Sequence, residues 1–159
     1  MKYAFLRELL DSYLPKAPDI QGLAVNNFVK DLWKRDIGGF ITRLRSLIAS
    51  MPYGVKSEET ESRFQTVVYL LFMLLGQHVH AEVHSHKGRA DMVVITDDSV
   101  YVFEFKITDG KDGMTADDAL KQIEEKDYVG QYRASGKRLV KIGAIYDATA
   151  RELGEVKIA

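Results

Sequence analysis

The chain has 159 residues, 46% hydrophobic and 28% charged, an ordinary balance for a folded globular protein and too apolar for a disordered one. Its formal charge is −1, so bulk charge does not announce a nucleic-acid binder. It has no cysteine, which excludes disulfides, thiolate nucleophiles and cysteine-based zinc sites and leaves carboxylates, histidines and carbonyls as metal ligands.

In chain order, Met1-Lys2-Tyr3-Ala4 is followed by Arg7, Glu8 and Asp11, which is not the apolar core of a signal peptide. Phe5, Leu6, Leu9, Leu10, Tyr13 and Leu14 recur at helical spacing until Pro15 and Pro18. Leu23, Val25, Phe28, Val29, Leu32 and Trp33 mark a second helix. Ile37, Phe40, Ile41, Leu44, Leu47, Ile48 and Met51 mark a third, stopped by Pro52 and Gly54. These short helices need a surface to cover, and either the second part of the chain or something outside this chain is expected to supply it.

Residues 1–56 carry a net +4 and residues 57–159 a net −5, so carboxylate chemistry is expected in the second part. Ser57 reads as an N-cap, with Glu58, Glu59 and Glu61 near the positive end of a helix. That helix reaches about Leu75 and is apolar on nearly every side past Thr66, which predicts burial. Its run Val67 to Leu75 is far short of the roughly 20 residues that span a bilayer, so a cytoplasmic protein with no membrane association is expected.

Alternation then predicts strands over 78–86, 91–95 and 100–107, with turns at Lys87-Gly88 and Asp97-Asp98. Residues 108–114 read as a loop. Thr115 and Asp118 form a capping-box pattern opening a helix over about 115–129. Ser135-Gly136 is a turn, Leu139 to Tyr146 a buried strand, and Glu155 to Ile158 a short last strand.

The chemistry concentrates in Glu104-Phe105-Lys106. Alternation places Glu104 and Lys106 on one strand face, about 6.6 Å apart. The plainer reading is an exposed charge pair, but Val100, Val102, Phe103 and Phe105 argue for burial on both faces. A hairpin would bring Asp91 to Glu104, and two converging carboxylates invite a divalent cation, since their repulsion otherwise raises a pKa. His78, His80, His84 and His86 share a face with Glu82; a transition-metal site is one reading, and the polar face of an edge strand is favoured over it. Arg133, Lys137, Arg138 and Lys141 read equally as phosphate contacts or as solvated charge.

The ordered set Glu61, Glu82, Gly88-Arg89-Ala90-Asp91, Glu104-Phe105-Lys106, Gln122 and Tyr128 resembles the PD-(D/E)XK nuclease superfamily. It is most similar to the nuclease-like C-terminal domain of bacterial AAA-ATPase-like proteins. The resemblance implies an α/β fold, with a restriction-endonuclease-like αβββαβ core over residues 57–159 and a helical extension over 1–56. It implies Asp91 and Glu104 as metal ligands, completed by the Phe105 carbonyl and Glu61, and Lys106 as the group that positions or polarises the attacking water. Glu82, Arg89, Gln122 and Tyr128 would border the site or contact substrate. Ala90 stands where the superfamily has Pro, within this subgroup's Gly-Arg-x-Asp form.

The implied activity is phosphodiester hydrolysis of nucleic acid, DNA before RNA, with Mg²⁺ or alternatively Mn²⁺. Implied partners are an ATPase-like region outside this chain and a second copy in a homodimer. The competing reading is a catalytically silent nuclease-fold module that binds nucleic acid or protein.

Overall fold

The computed structural model describes residues 2–13, 24–51, 57–86, 89–127 and 129–159. The expected stops at Pro15, Pro18, Pro52 and Gly54, the turn at Lys87-Gly88, and Tyr128 lie outside the described residues. The chain divides into two compact units, Met1–His80 and Ala81–Ala159.

The first unit is helical, with α1 Lys2–Tyr13, α2 Ala24–Trp33, α3 Ile37–Ala49 and α4 Ser57–Leu75. The apolar stripes are largely used, although Phe5 and Trp33 stay exposed. Val25, Phe28, Val29 and Leu32 of α2 are buried, as are Phe40, Ile41, Leu44, Leu47 and Ile48 of α3. Asp36 caps α3 by accepting the Gly39 N–H at 2.9 Å. The Phe40 ring stands edge-on to Phe28 at 5.0 Å and to Phe72 of α4 at 6.0 Å, so α2, α3 and α4 share a core. The short helices therefore find their surface on α4. The α4 run is buried at Val67, Val68, Leu70, Leu71, Phe72, Leu74 and Leu75, while Tyr69 is exposed. At the end of α4, the Tyr3 hydroxyl donates to the Gly76 carbonyl at 3.4 Å.

The strands are β1 His80–His86, β2 Arg89–Ile95, β3 Ser99–Thr108, β4 Arg138–Asp147 and β5 Glu152–Ile158. They form one mixed sheet in the order β1-β2-β3-β4-β5, with α5 Ala116–Glu125 between β3 and β4. β2 runs antiparallel to β3, β3 parallel to β4, and β4 antiparallel to β5. The order α4-β1-β2-β3-α5-β4 is the expected αβββαβ, and the class is α/β with a helical N-terminal part.

Several element boundaries differ from expectation: β2 starts at Arg89 rather than Asp91 and β5 at Glu152 rather than Glu155, and other differences have a local reason. β1 starts at His80 rather than His78, because the N–H groups of His78 and Val79 both go to the Leu75 carbonyl, at 3.0 and 3.1 Å, closing α4. α5 stops at Glu125 rather than near 129, because Asp127 takes a left-handed φ of 49°. A 3-10 turn, Gly130–Ser135, follows where no element was expected, so Tyr132 sits outside α5.

Candidate active site

β3 is buried on both faces, which overturns the plainer reading of an exposed charge pair. Tyr101, Phe103 and Phe105 fill one face and Val100 and Val102 the other. Glu104 and Lys106 continue the Val100–Val102 face by strand alternation. Register makes Asp91 the partner of Glu104. Direct partners of an antiparallel pair lie about 5 Å apart and point to the same side. Asp91 is 3% exposed and Glu104 is 0% exposed. Two carboxylates thus share one dry spot on the sheet.

A cation adjoins them. Lys106 Nζ lies 4.0 Å from Glu104 Oε1, and its side chain is 14% exposed. The same ammonium donates to Gln122 Oε1 on α5. Arg89 is the register partner of Lys106 on β2. The site is therefore built from a hairpin that supplies the carboxylates and the lysine and a helix that supplies the amide.

The helix is seated with care. Thr115 and Asp118 form the expected capping box. Hydrogen bonds from Thr115, backbone first and side chain second, hold the Asp118 carboxyl below its ordinary pKa, with the Lys106 charge a smaller contribution in the same direction. Ala116, Ala119 and Ile123 are buried, and Ile123 joins Val93, Val100, Val102 and Val129 in one apolar cluster.

On β4, Gly143 is the register partner of Glu104, and on β5 Lys157 is the partner of Gly143. One row across the sheet thus reads Asp91, Glu104, Gly143, Lys157. A Cβ on Gly143 would meet the Ala116 carbonyl oxygen at 2.5 Å and Leu120 N at 3.0 Å. The helix backbone lies on that glycine. β5 fixes the helix start: Glu155 Oε1 accepts the Ala116 N–H at 2.8 Å, and Lys157 pairs with Asp117. Lys141 pairs with Glu124 further along, which lowers the Glu124 pKa.

The family model described as the PD-(D/E)XK nuclease superfamily matches residues 59–156. The chain belongs to the PD-(D/E)XK nuclease superfamily. A curated protein of Azotobacter chroococcum mcd 1, described as an uncharacterized protein in the vnfD 5' region, is 28% identical over 158 residues. The alignment covers 96% of this chain and 30% of that relative, so the chain spans about a third of the relative's length. No solved structure matches.

The remaining expected residues of this superfamily member fall as follows. Glu61 is half-buried on α4, in the first unit. Glu82 is half-buried on β1 and accepts from the Tyr132 hydroxyl at 3.4 Å. Burial, and then the Glu82 charge, push the Tyr132 pKa up. Phe105 is fully buried, with its ring stacked parallel to Phe103 at 6.1 Å on the face away from Glu104. Among the described residues, no group of three His, Asp or Glu side chains is spaced to hold a metal. His80 and His84 of β1 are exposed, as expected of a polar strand face, and His78, which precedes the strand, is exposed as well.

The basic cluster is engaged locally. Arg133 pairs with Asp127 at 3.0 Å, and Lys137 Nζ donates to the Thr96 carbonyl at 2.8 Å. Arg138 donates to the Tyr101 hydroxyl at 3.2 Å, its guanidinium 5.9 Å from that ring. Arg138 is the register partner of Ser99, at the start of β3, about 23 Å along the strand from Lys106. Three residues escaped sequence reasoning: Gly143, Glu155 and Lys157. A glycine inside a buried strand signals close backbone approach, so Gly143 carried a readable sign. Nothing local distinguishes Glu155 or Lys157 from ordinary surface charge.

Proposed function

We propose that the chain is a metal-dependent nuclease domain that hydrolyses phosphodiester bonds, with DNA as substrate ahead of RNA. The observation that carries this reading is the buried Asp91–Glu104 pair with the Lys106 ammonium beside it. Burying two like charges side by side is costly unless cations compensate them. The donors are all oxygen, which suits a hard cation such as Mg²⁺, or Mn²⁺ in its place.

Asp91 and Glu104 would hold that ion, with the Phe105 carbonyl and Glu61 as further ligands. The chemistry a bound ion supplies is Lewis-acid polarisation of phosphate and a lowered pKa for water. Lys106 stabilises negative charge as it develops on the phosphate and orients the attacking water. Gln122 holds the ammonium in place for that task, since a charged hydrogen bond fixes one end of a long flexible side chain. Arg89 and Tyr128 are proposed to meet the substrate, and Glu82 to border the site. Residues 57–159 form the nuclease-like domain and 1–56 its helical extension. The domain is proposed to work in the cytoplasm, as a homodimer, beside an ATPase-like region.

The test is incubation with single- and double-stranded DNA and RNA, with Mg²⁺, Mn²⁺ or EDTA, beside Lys106→Ala. Metal-dependent cleavage lost in the variant supports the reading. Binding without cleavage under every metal condition replaces it with the silent-module reading.

A further inference from the structure

We propose that Gly143 is a positioning residue for Lys106, acting through helix α5. The proposal rests on the nuclease reading for its functional consequence but not for its geometry. Gly143 occupies the β4 position beside Glu104. Its missing side chain lets the first turn of α5 rest directly on the sheet, where a Cβ would stand 2.5 Å from the Ala116 carbonyl oxygen. That oxygen belongs to the backbone, so the clash cannot be relieved by a rotamer change. The helix as a whole would have to lift.

What the helix carries is decisive. Two flanks of α5 do different things. Asp117 and Glu124 face the outer strands and pair with Lys157 and Lys141. Gln122, on the other flank, reaches the Lys106 ammonium. Glu155 holds the first N–H of the helix from β5. The seat at Gly143, the pin at Glu155 and the contact at Gln122 are thus three points on one short rigid rod. Lifting the rod at the first moves the third. Lys106 has four rotatable bonds, so loss of Gln122 releases its head from the place beside Glu104. The polar contact needs an approach measured in tenths of an ångström, whereas apolar packing of Ile123 tolerates more.

The experiment reads Lys106 directly. In protein labelled with ¹³C at the lysine ε-carbon, the Lys106 resonance is assigned with Lys106→Arg and compared in wild type, Gln122→Leu, Gly143→Ala and the double variant. The expected result is that Gly143→Ala moves the Lys106 resonance in the direction that Gln122→Leu moves it, and that the double variant moves it no further than Gln122→Leu alone. Non-additivity of this kind is the mark of two residues acting through one contact. A Lys106 resonance unmoved by Gly143→Ala, or additive displacements, overturns the proposal. If Gly143→Ala does not fold, Glu155→Ala replaces it, since it loosens the helix start without adding atoms; the same two outcomes decide. In cleavage assays the expected loss is about 10–100-fold in kcat with KM little changed. A wild type that cuts nothing refutes the nuclease reading and leaves the resonance test standing.

Discussion

Asp91 and Glu104 are direct partners across the β2–β3 ladder, and both are buried. The pairing follows from the two-residue Asp97-Asp98 turn, which Thr96 and Ser99 close with a 2.9 Å backbone hydrogen bond. Register in a hairpin is set by its turn, and a one-residue slip would send one carboxylate to the opposite face. The acidic half of the site is therefore a consequence of turn length.

Lys106→Ala is expected to lower cleavage about 10²–10³-fold, the scale of one preorganised electrostatic contact. Nucleic-acid affinity should stay close to that of the wild type, because the ammonium acts on charge that appears in the transition state. Single-turnover cleavage beside equilibrium binding checks both halves. Equal cleavage by variant and wild type would remove Glu104-Phe105-Lys106 from the active site.

Mg²⁺ or Mn²⁺ should raise the melting temperature of the wild type in a concentration-dependent way, as any ligand of the native state does. Asp91→Asn should abolish most of that shift while leaving the fold intact. Thermal melts in EDTA and in rising Mn²⁺ measure it. A variant stabilised as strongly as the wild type would exclude Asp91 as a ligand.

Phe103 is fully buried on the sheet face opposite the carboxylates. Phe103→Ala should cost about 3–5 kcal/mol through lost burial and the cavity left behind. Urea denaturation gives the number directly. A cost below about 1 kcal/mol would mean that this face is not packed as described.

Asp118 titrates below its ordinary value of 3.8, chiefly because of its bonds with Thr115. Its folded-state pKa is depressed, so its contribution is present above the unfolded value and disappears as pH falls through the folded one. The wild type should lose stability more steeply below about pH 4 than Asp118→Asn, which has no such proton to take up. Denaturation midpoints between pH 3 and pH 7 compare the slopes, and identical slopes would contradict the assignment.

Lys137→Ala and Arg138→Ala should leave nucleic-acid affinity unchanged and lower stability slightly. Both side chains are spent on Thr96 and Tyr101, at the end of the sheet away from Lys106. A salt-dependent loss of affinity in either variant would return them to the substrate interface.

Much of this architecture was legible because its signals are local. The shared face of Glu104 and Lys106 follows from alternation, the Thr115–Asp118 cap from spacing, and the meeting of Asp91 with Glu104 from a short turn. Family resemblance set Gln122 at the border of the site, but its bond to Lys106 was not foreseen. The docking of α5 was not legible at all, because it joins Ala116 to Glu155 and Asp117 to Lys157 across long stretches of chain. Periodicity reports which side of an element is apolar, not which distant strand receives it. The early end of α5 was hidden for another reason: Asp127 adopts a left-handed backbone that its residue type permits but does not require.

β5 is the outer strand beyond β4, and an outer strand offers open backbone groups to any other chain that can pair with them. Here the strand carries Glu152, Glu155 and Lys157, and its ladder with β4 shifts register between Ala144 and Tyr146. Charges and irregular pairing are both deterrents to self-association. Glu155 and Lys157 therefore seat the helix and also set charge on the margin of the sheet. Neutralising them together should favour strand-to-strand aggregation, so variants at these positions belong in dilute solution, with light scattering recorded beside every spectrum.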